Sequence, residues 1–276
     1  MLRSFLPLLL LALFTNTYAQ QPIRTPNIQG VLYLGEGEDQ PLIVGLGGSE
    51  GGNAWASDRW KETRDSFLNK GYAFLALAYF GSEGTPALLN KIAIEDVFNA
   101  IAAASQKPKV SKTKIAIVGG SRGADLALLI ASYYKEISCV VAIVPSHAVF
   151  PGHTREFTTS CFTFNGKELP FVPVNEEAVP FLINSDLRGA FEAMLKDTIA
   201  EQKALINIGN INGPILFLSA TKDEICPSTP MSIKMMETLK AKKFNFHFEH
   251  LAIDGRHGEP LKHFGKVRDF LEIHFK

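Results

Sequence analysis

Ile115-Ala116-Ile117-Val118-Gly119-Gly120-Ser121-Arg122-Gly123-Ala124-Asp125-Leu126 is the stretch on which the reading of this chain turns. An apolar run, Lys114 to Val118, reads as a buried strand, and a helical pattern follows from Ala124 to Tyr134. Between them, Gly119-Gly120-Ser121-Arg122-Gly123 fits G-x-S-x-G, a turn that lifts a serine to the apex of a sharp strand-to-helix corner. Glycines two residues before and two after the serine suit that corner, because its backbone is tightly bent and closely approached. The helix start also directs its N–H groups towards negative charge that develops beside the serine. A glycine-rich structural turn has the same five letters, so the rest of the chain has to decide.

Upstream, Ile28 to Gly35, Pro41 to Leu46 and Tyr72 to Ala78 are strand candidates, with helices expected over Trp55–Asn69 and Pro86–Ser105. Downstream, strands are expected at Cys139–Val144, Ile215–Ser219 and Phe244–Leu251, and helices over Pro230–Lys242 and Lys262–His274. Near-continuous apolar strands alternating with helices predict an α/β architecture, a mainly parallel sheet covered on both faces. Ser146 to Gly213 breaks this rhythm and reads as a cap-like insert, with one helix near Leu187 to Lys203. No internal repeat or low-complexity tract occurs.

A serine hydroxyl is a poor nucleophile until a base takes its proton, and the base needs an acid to orient it. In sheets entered through such an elbow, the chain order is serine, then Asp or Glu, then His. Asp223 follows the late strand Ile215–Ser219 and is the preferred acid, with Glu224 as its rival. His257 lies in Gly255-Arg256-His257-Gly258-Glu259-Pro260, a glycine-flanked loop ahead of the last helix, and is the expected base. His250 belongs to the preceding strand and His263 to the start of the helix. The oxyanion donors are expected to be the N–H of Arg122 and one from Gly47-Gly48-Ser49-Glu50-Gly51-Gly52, at Gly48 or Ser49, with Ser49 preferred. That glycine run lacks the Gly-Lys-Ser/Thr ending of a nucleotide-binding loop. His247 and His250 point to opposite sides of an alternating strand and do not chelate one ion together. No metal or cofactor is expected.

The 276 residues suffice for one α/β domain, and 28 basic residues balance 28 acidic ones, so nothing points to nucleic-acid binding. Arg3, the apolar run Leu6 to Phe14, and Thr17 and Ala19 have the layout of a secretory signal peptide cleaved after Ala19. The run is short of the roughly 20 residues that span a bilayer, so no stable membrane insertion is expected after cleavage. The expectation is therefore an exported, secreted or periplasmic protein comprising residues 20–276. With Cys139, Cys161 and Cys226 only one bridge can form; Cys139 reads as core, and Cys161 with Cys226 is a candidate pair that sequence does not fix.

The elbow Val118 to Leu128, the strand Gly71 to Phe80, the run Ile211 to Leu218 and the loop Gly255 to Pro260 together resemble the C-terminal catalytic domain of acyl-CoA thioesterases and of bile acid-CoA:amino acid N-acyltransferase, within the α/β-hydrolase superfamily. The likeness covers roughly Pro41 to His274. It implies an α/β-hydrolase fold and a triad of Ser121, Asp223 and His257. The thioesterases have serine at the elbow and the N-acyltransferase has cysteine, so Ser121 implies hydrolysis of a small acyl ester or thioester. The rivals are acyl transfer to an amine, carboxylesterase, dienelactone-hydrolase-like or peptidase action, and a non-catalytic binding protein on the same fold.

Overall fold

The computed structural model describes residues 18–276; the expected signal peptide, apart from Tyr18 and Ala19, lies outside them. A hairpin of β1 (Ala19–Thr25) and β2 (Ile28–Leu34) opens the described chain, turned by Pro26 and by Asn27 at φ 63°. Asparagine is one of the few residues that takes this left-handed position cheaply. Next come β3 (Gln40–Leu46), α1 (Lys61–Leu68), β4 (Ala73–Ala78), the two-residue β5 (Ile92–Ala93) and α2 (Ile94–Ser105). Then β6 (Val110–Gly120), α3 (Arg122–Tyr133) and β7 (Cys139–Ile143) lead into the insert. The insert holds β8 (Phe162–Phe164), β9 (Lys167–Glu168), α4 (Val179–Ile183), α5 (Leu187–Met194) and α6 (Thr198–Ala204). The chain returns to the sheet through β10 (Ile215–Ala220), α7 (Ser228–Ala241), β11 (Phe248–Ile253) and α8 (Phe264–His274).

The main sheet has the order β1-β2-β4-β3-β6-β7-β10-β11, parallel from β4 to β11, with β2 antiparallel to both of its neighbours. Successive residues of the central strands serve opposite layers. Val44, Ile117, Val140 and Phe217 pack among Val97, Ile101, Leu126 and Met235 of α2, α3 and α7. Ile43, Val118, Val141 and Leu216 pack among Phe67, Val267 and Phe270 of α1 and α8. Each such side chain, removed from water, contributes about 1.5–3 kcal/mol, which is why the strands read as unbroken apolar runs. A third cluster, including Phe150, Val172, Ala190 and Met194, belongs to the insert.

Several expected elements are corrected. The helix expected from Pro86 starts only at Ile94, because Lys91 takes φ 53° and Ile92–Ala93 pairs in parallel with β8. The helix expected from Trp55 begins as two 3-10 turns, Ala54–Ala56 and Asp58–Trp60, before α1. The one helix expected near Leu187 to Lys203 is two, α5 and α6, since the Asp197 carboxylate accepts the Ala200 N–H at 2.9 Å and starts a new helix at Thr198, and α4 makes a third helix in the insert. The last strand begins at Phe248 rather than Phe244, whose N–H closes the end of α7 on the Leu239 carbonyl. The Cys161–Cys226 pair does not form; all three thiols are free and buried. His247 and His250 do face opposite sides: His247 stacks on His274 of α8 at 3.9 Å, whereas His250 bonds the Ser219 hydroxyl at 2.7 Å. Among the described residues no helix is long and apolar enough to cross a membrane.

Acid should weaken this fold. Burial, which disfavours the imidazolium, holds His147, His250 and His274 below the ordinary 6.5; burial and the Arg122 charge hold His153 at about 4. Below 6.5 the unfolded chain therefore binds protons that the folded chain refuses, and stability falls between 6.5 and about 4. Asp125, raised by burial to about 6, works the other way, but it is one group against four. The urea midpoint at about pH 5 is expected to lie below that at about pH 7.5, and equal midpoints would refute the account.

Candidate active site

Ser121 follows β6 directly and caps α3 with φ 53° and ψ −124°, a conformation costing about 1–3 kcal/mol for a residue with a side chain. The corner is held by the Ser121 N–H on the Ile143 carbonyl and the Ala124 N–H on the Ser121 carbonyl, both at 2.8 Å. Its flanking glycines are steric necessities. A Cβ at Gly119 would stand 2.1 Å from the Gly123 carbonyl oxygen, and one at Gly123 would stand 2.2 Å from that of Gly47. Gly120 is not confined in this way and lines the cavity described below.

Ser121, His257 and Asp223 form one hydrogen-bonded chain, although they lie far apart in sequence. His257 Nε2 is 3.2 Å from Ser121 Oγ, and its Nδ1 lies 2.8 and 3.0 Å from the two Asp223 oxygens. Asp223 also accepts the N–H groups of Ile225 at 3.0 Å and Cys226 at 3.1 Å, and the Ser228 hydroxyl at 2.6 Å. Burial alone would raise its pKa; the bonds from His257 and Ser228 outweigh burial and hold the carboxyl below its usual range. Glu224 plays a different part, accepting the His257 backbone N–H at 2.9 Å and pairing with Arg256 at 3.2 Å, which fixes the histidine loop rather than the ring. His250 and His263 lie elsewhere, His250 on Ser219 and His263 near Glu259.

Gly48 is buried against Ser121, whose Cβ would be 3.1 Å from a Cβ built at residue 48. Ser49 is exposed and lines the same cavity. Among the described residues, the backbone N–H groups of Gly48, Ser49 and Arg122 donate to no protein acceptor. The Tyr79 hydroxyl pins this loop by donating to the Gly47 carbonyl at 2.6 Å. Burial pushes the phenol far above its usual pKa, so it stays a donor. Tyr79, like Ser228, escapes sequence reasoning; its only signal is a polar tip at the end of an apolar strand.

A cavity of about 630 Å³ opens beside Ser121 and His257. The insert supplies its apolar wall through Phe150, Phe157, Val174, Leu182, Phe191 and Met194. From α5, Arg188 donates to the Asp223 carbonyl at 2.7 Å, so the insert also braces the acid. One donor atom each of Asp223, Cys226 and His257 lies within 4.8 Å of the others. Those of Asp223 and His257 are already spent on each other and on N–H groups, and burial holds the Cys226 thiol well above its usual pKa. The cluster is built as a hydrogen-bond relay rather than as a set of free ligands.

An elbow serine at the C-terminal edge of a parallel sheet, with an acid and a histidine from later loops, places this chain among the α/β hydrolases. The fold of a Pyrococcus furiosus esterase superposes on it with a TM-score of 0.61, at 18% identity, over 94% of this chain and 92% of that one. The chain belongs to the family described as BAAT / Acyl-CoA thioester hydrolase C terminal, whose profile matches residues 94–257. Its relatives include human acyl-coenzyme A thioesterase 1, 28% identical over 74% of this chain and 45% of that protein. Mouse acyl-coenzyme A amino acid N-acyltransferase 1 is 26% identical over 80% of this chain and 49% of that protein. The chain thus spans about half the length of these relatives.

Proposed function

We propose that the protein is a serine hydrolase that cleaves a small acyl ester or thioester through an acyl-enzyme. The observation that carries this reading is the Ser121–His257–Asp223 relay opening into an apolar cavity. His257 Nε2 takes the Ser121 proton as Oγ attacks the carbonyl carbon, and the oxyanion is met by the N–H of Arg122 and of Ser49 or Gly48. The tetrahedral intermediate collapses; His257 returns the proton to the departing alcohol or thiol. Water, deprotonated by the same ring, then attacks the acyl-Ser121 ester and frees the acid.

Family membership and the thioesterase relatives favour a thioester as substrate, and the apolar wall of the insert suits an acyl chain. The N-acyltransferase relative makes transfer to an amine the second reading, with the serine at the elbow favouring water as acceptor. We further propose one α/β-hydrolase domain over residues 20–276 and export after cleavage following Ala19, so that secreted material should begin at Gln20.

A fluorophosphonate is expected to label Ser121, read by peptide mass, and labelling should block turnover of p-nitrophenyl butyrate and butyryl-CoA. Adding glycine or taurine should not divert product to the amide. Absence of labelling in folded protein would return the chain to the non-catalytic reading, and amide formation would make it a transferase.

A further inference from the structure

The proposed mechanism uses the backbone of Arg122 and leaves its side chain without a role. That guanidinium is nine-tenths buried, with 9% of the side chain exposed, yet it lines the cavity. Nη1 donates to Asp125 Oδ2 at 3.2 Å, and the guanidinium lies 5.4 Å from the ring centres of both Phe150 and Phe191. Nε and Nη2 have no acceptor among the described residues, and they are not sealed off as Arg64 Nε is, so they meet the open space of the cavity. Asp125 is the more deeply buried of the pair, and its other oxygen is taken by the Ser146 N–H at 2.7 Å. His153, from the insert, lines the same cavity close enough to feel the Arg122 charge. Its ring makes no hydrogen bond among the described residues, where only its backbone N–H is paired, to the Leu89 carbonyl, and the half-buried ring is open to the cavity.

Two guanidinium nitrogens, Nε with one N–H and Nη2 with two, and the half-buried imidazole of His153 thus face an apolar-walled chamber with no protein acceptor, and an anionic acceptor entering it would complete them. The matching acceptor is a carboxylate, which a guanidinium fork binds through two parallel charge-assisted bonds. Arg122 is the next residue after Ser121, so only a short spacer separates the attacked carbonyl from this fork. We propose that Arg122, with His153, forms a carboxylate subsite, and that the preferred acyl group is a short dicarboxylic half-ester or half-thioester. The phenyl rings then serve as the walls of the spacer, and Asp125 holds the guanidinium in register while the subsite is empty. This inference rests on the serine-hydrolase reading.

Two experiments separate the fates of the two. In the first, kcat/KM for the glutaric and adipic half-esters of p-nitrophenol is compared with that for the neutral butyryl and hexanoyl esters, after subtracting spontaneous hydrolysis. A preference of about tenfold or more for the charged substrates is expected, because a site built around polar groups rejects analogues that leave them unpaired. That ratio should fall in His153→Phe and in Arg122→Lys, which keeps the charge and loses the fork. Because Arg122→Met strands a buried Asp125, it is tested as the double variant with Asp125→Asn.

In the second, glutarate is titrated calorimetrically into Ser121→Ala protein, which reports the subsite without turnover. Binding is expected there and should be lost when His153→Phe is added. If glutarate does not bind and neutral esters are preferred while the fluorophosphonate still labels Ser121, the subsite is overturned and the hydrolase reading stands. If Ser121 is neither labelled nor needed for turnover, the reading beneath both fails, whatever glutarate does.

Discussion

Replacing Ser121 with alanine is expected to lower kcat for ester hydrolysis by about 10⁴-fold or more, with the urea midpoint little changed. The hydroxyl loses one hydrogen bond, to His257 Nε2 at 3.2 Å, and no packing contact that holds the elbow. The corner is held instead by backbone bonds to Ile143 and Ala124 and by the glycine contacts at Gly119 and Gly123, none of which the substitution touches. What disappears is the atom that attacks. His257→Gln should fall by a similar factor, since it removes the one base that, among the described residues, is hydrogen-bonded to that hydroxyl. The pair should be grossly non-additive: the double variant is expected to be no slower than the worse single one, because a nucleophile without its base and a base without its nucleophile do the same nothing. Steady-state kcat on p-nitrophenyl butyrate for the two singles and the double decides it. Losses that multiply, or a Ser121→Ala loss below about tenfold, would remove the relay from the chemistry.

The elbow was legible because its letters answer to hard sterics. Gly119 and Gly123 leave no room for a Cβ, so the motif reports backbone approach directly. The order of Asp223 and His257 was legible because a parallel sheet delivers loops to one edge in sequence order, Asp223 following β10 and His257 following β11. The rest was hidden for specific reasons. Arg122 was readable as a backbone donor, but the place of its guanidinium depends on Phe150 and Phe191, which an insert with no clean period brings over it. The edge strand β1 carries Gln20, Gln21 and Pro22, a composition that does not advertise a strand; its pairing with β2 creates it. Phe244 and Phe246 look like strand residues, yet Lys243 at φ 50° and the Phe244 bond to Leu239 still belong to the end of α7. Leu187 to Lys203 has the apolar content of one helix, and a single cap at Asp197 divides it.

Asp223→Asn is expected to lower kcat by about 10⁴-fold, whereas Glu224→Gln should cost less than about tenfold. The two carboxylates are neighbours in sequence, so the contrast tests which of them governs the imidazole. Asp223 presents four acceptor directions to Ile225 N–H, Cys226 N–H, Ser228 Oγ and His257 Nδ1. An amide keeps only one oxygen. With that oxygen left on the two backbone N–H groups, where it also lies 2.8 Å from Nδ1, the NH₂ takes the place of the oxygen that faces Ser228 and stands 3.0 Å from Nδ1, so it competes with the Nδ1 proton. Ser228 can rotate and accept, but Nδ1 can accept only by giving up its proton to the other nitrogen. In that tautomer, which the aspartate excludes and the amide admits, the ring carries its hydrogen on Nε2, towards Ser121, and has no lone pair with which to take the serine proton. The imidazolium formed in the attack also loses the anion, held ionised by those same bonds, that offsets its charge. Glu224→Gln disturbs neither effect: a glutamine oxygen still accepts the His257 backbone N–H, and the lost pairing with Arg256 lies at an exposed side chain. Measuring kcat for both variants in one buffer near neutral pH gives the ratio; if Glu224→Gln falls as far as Asp223→Asn, the imidazole is not oriented by Asp223 and the relay must be redrawn through Glu224.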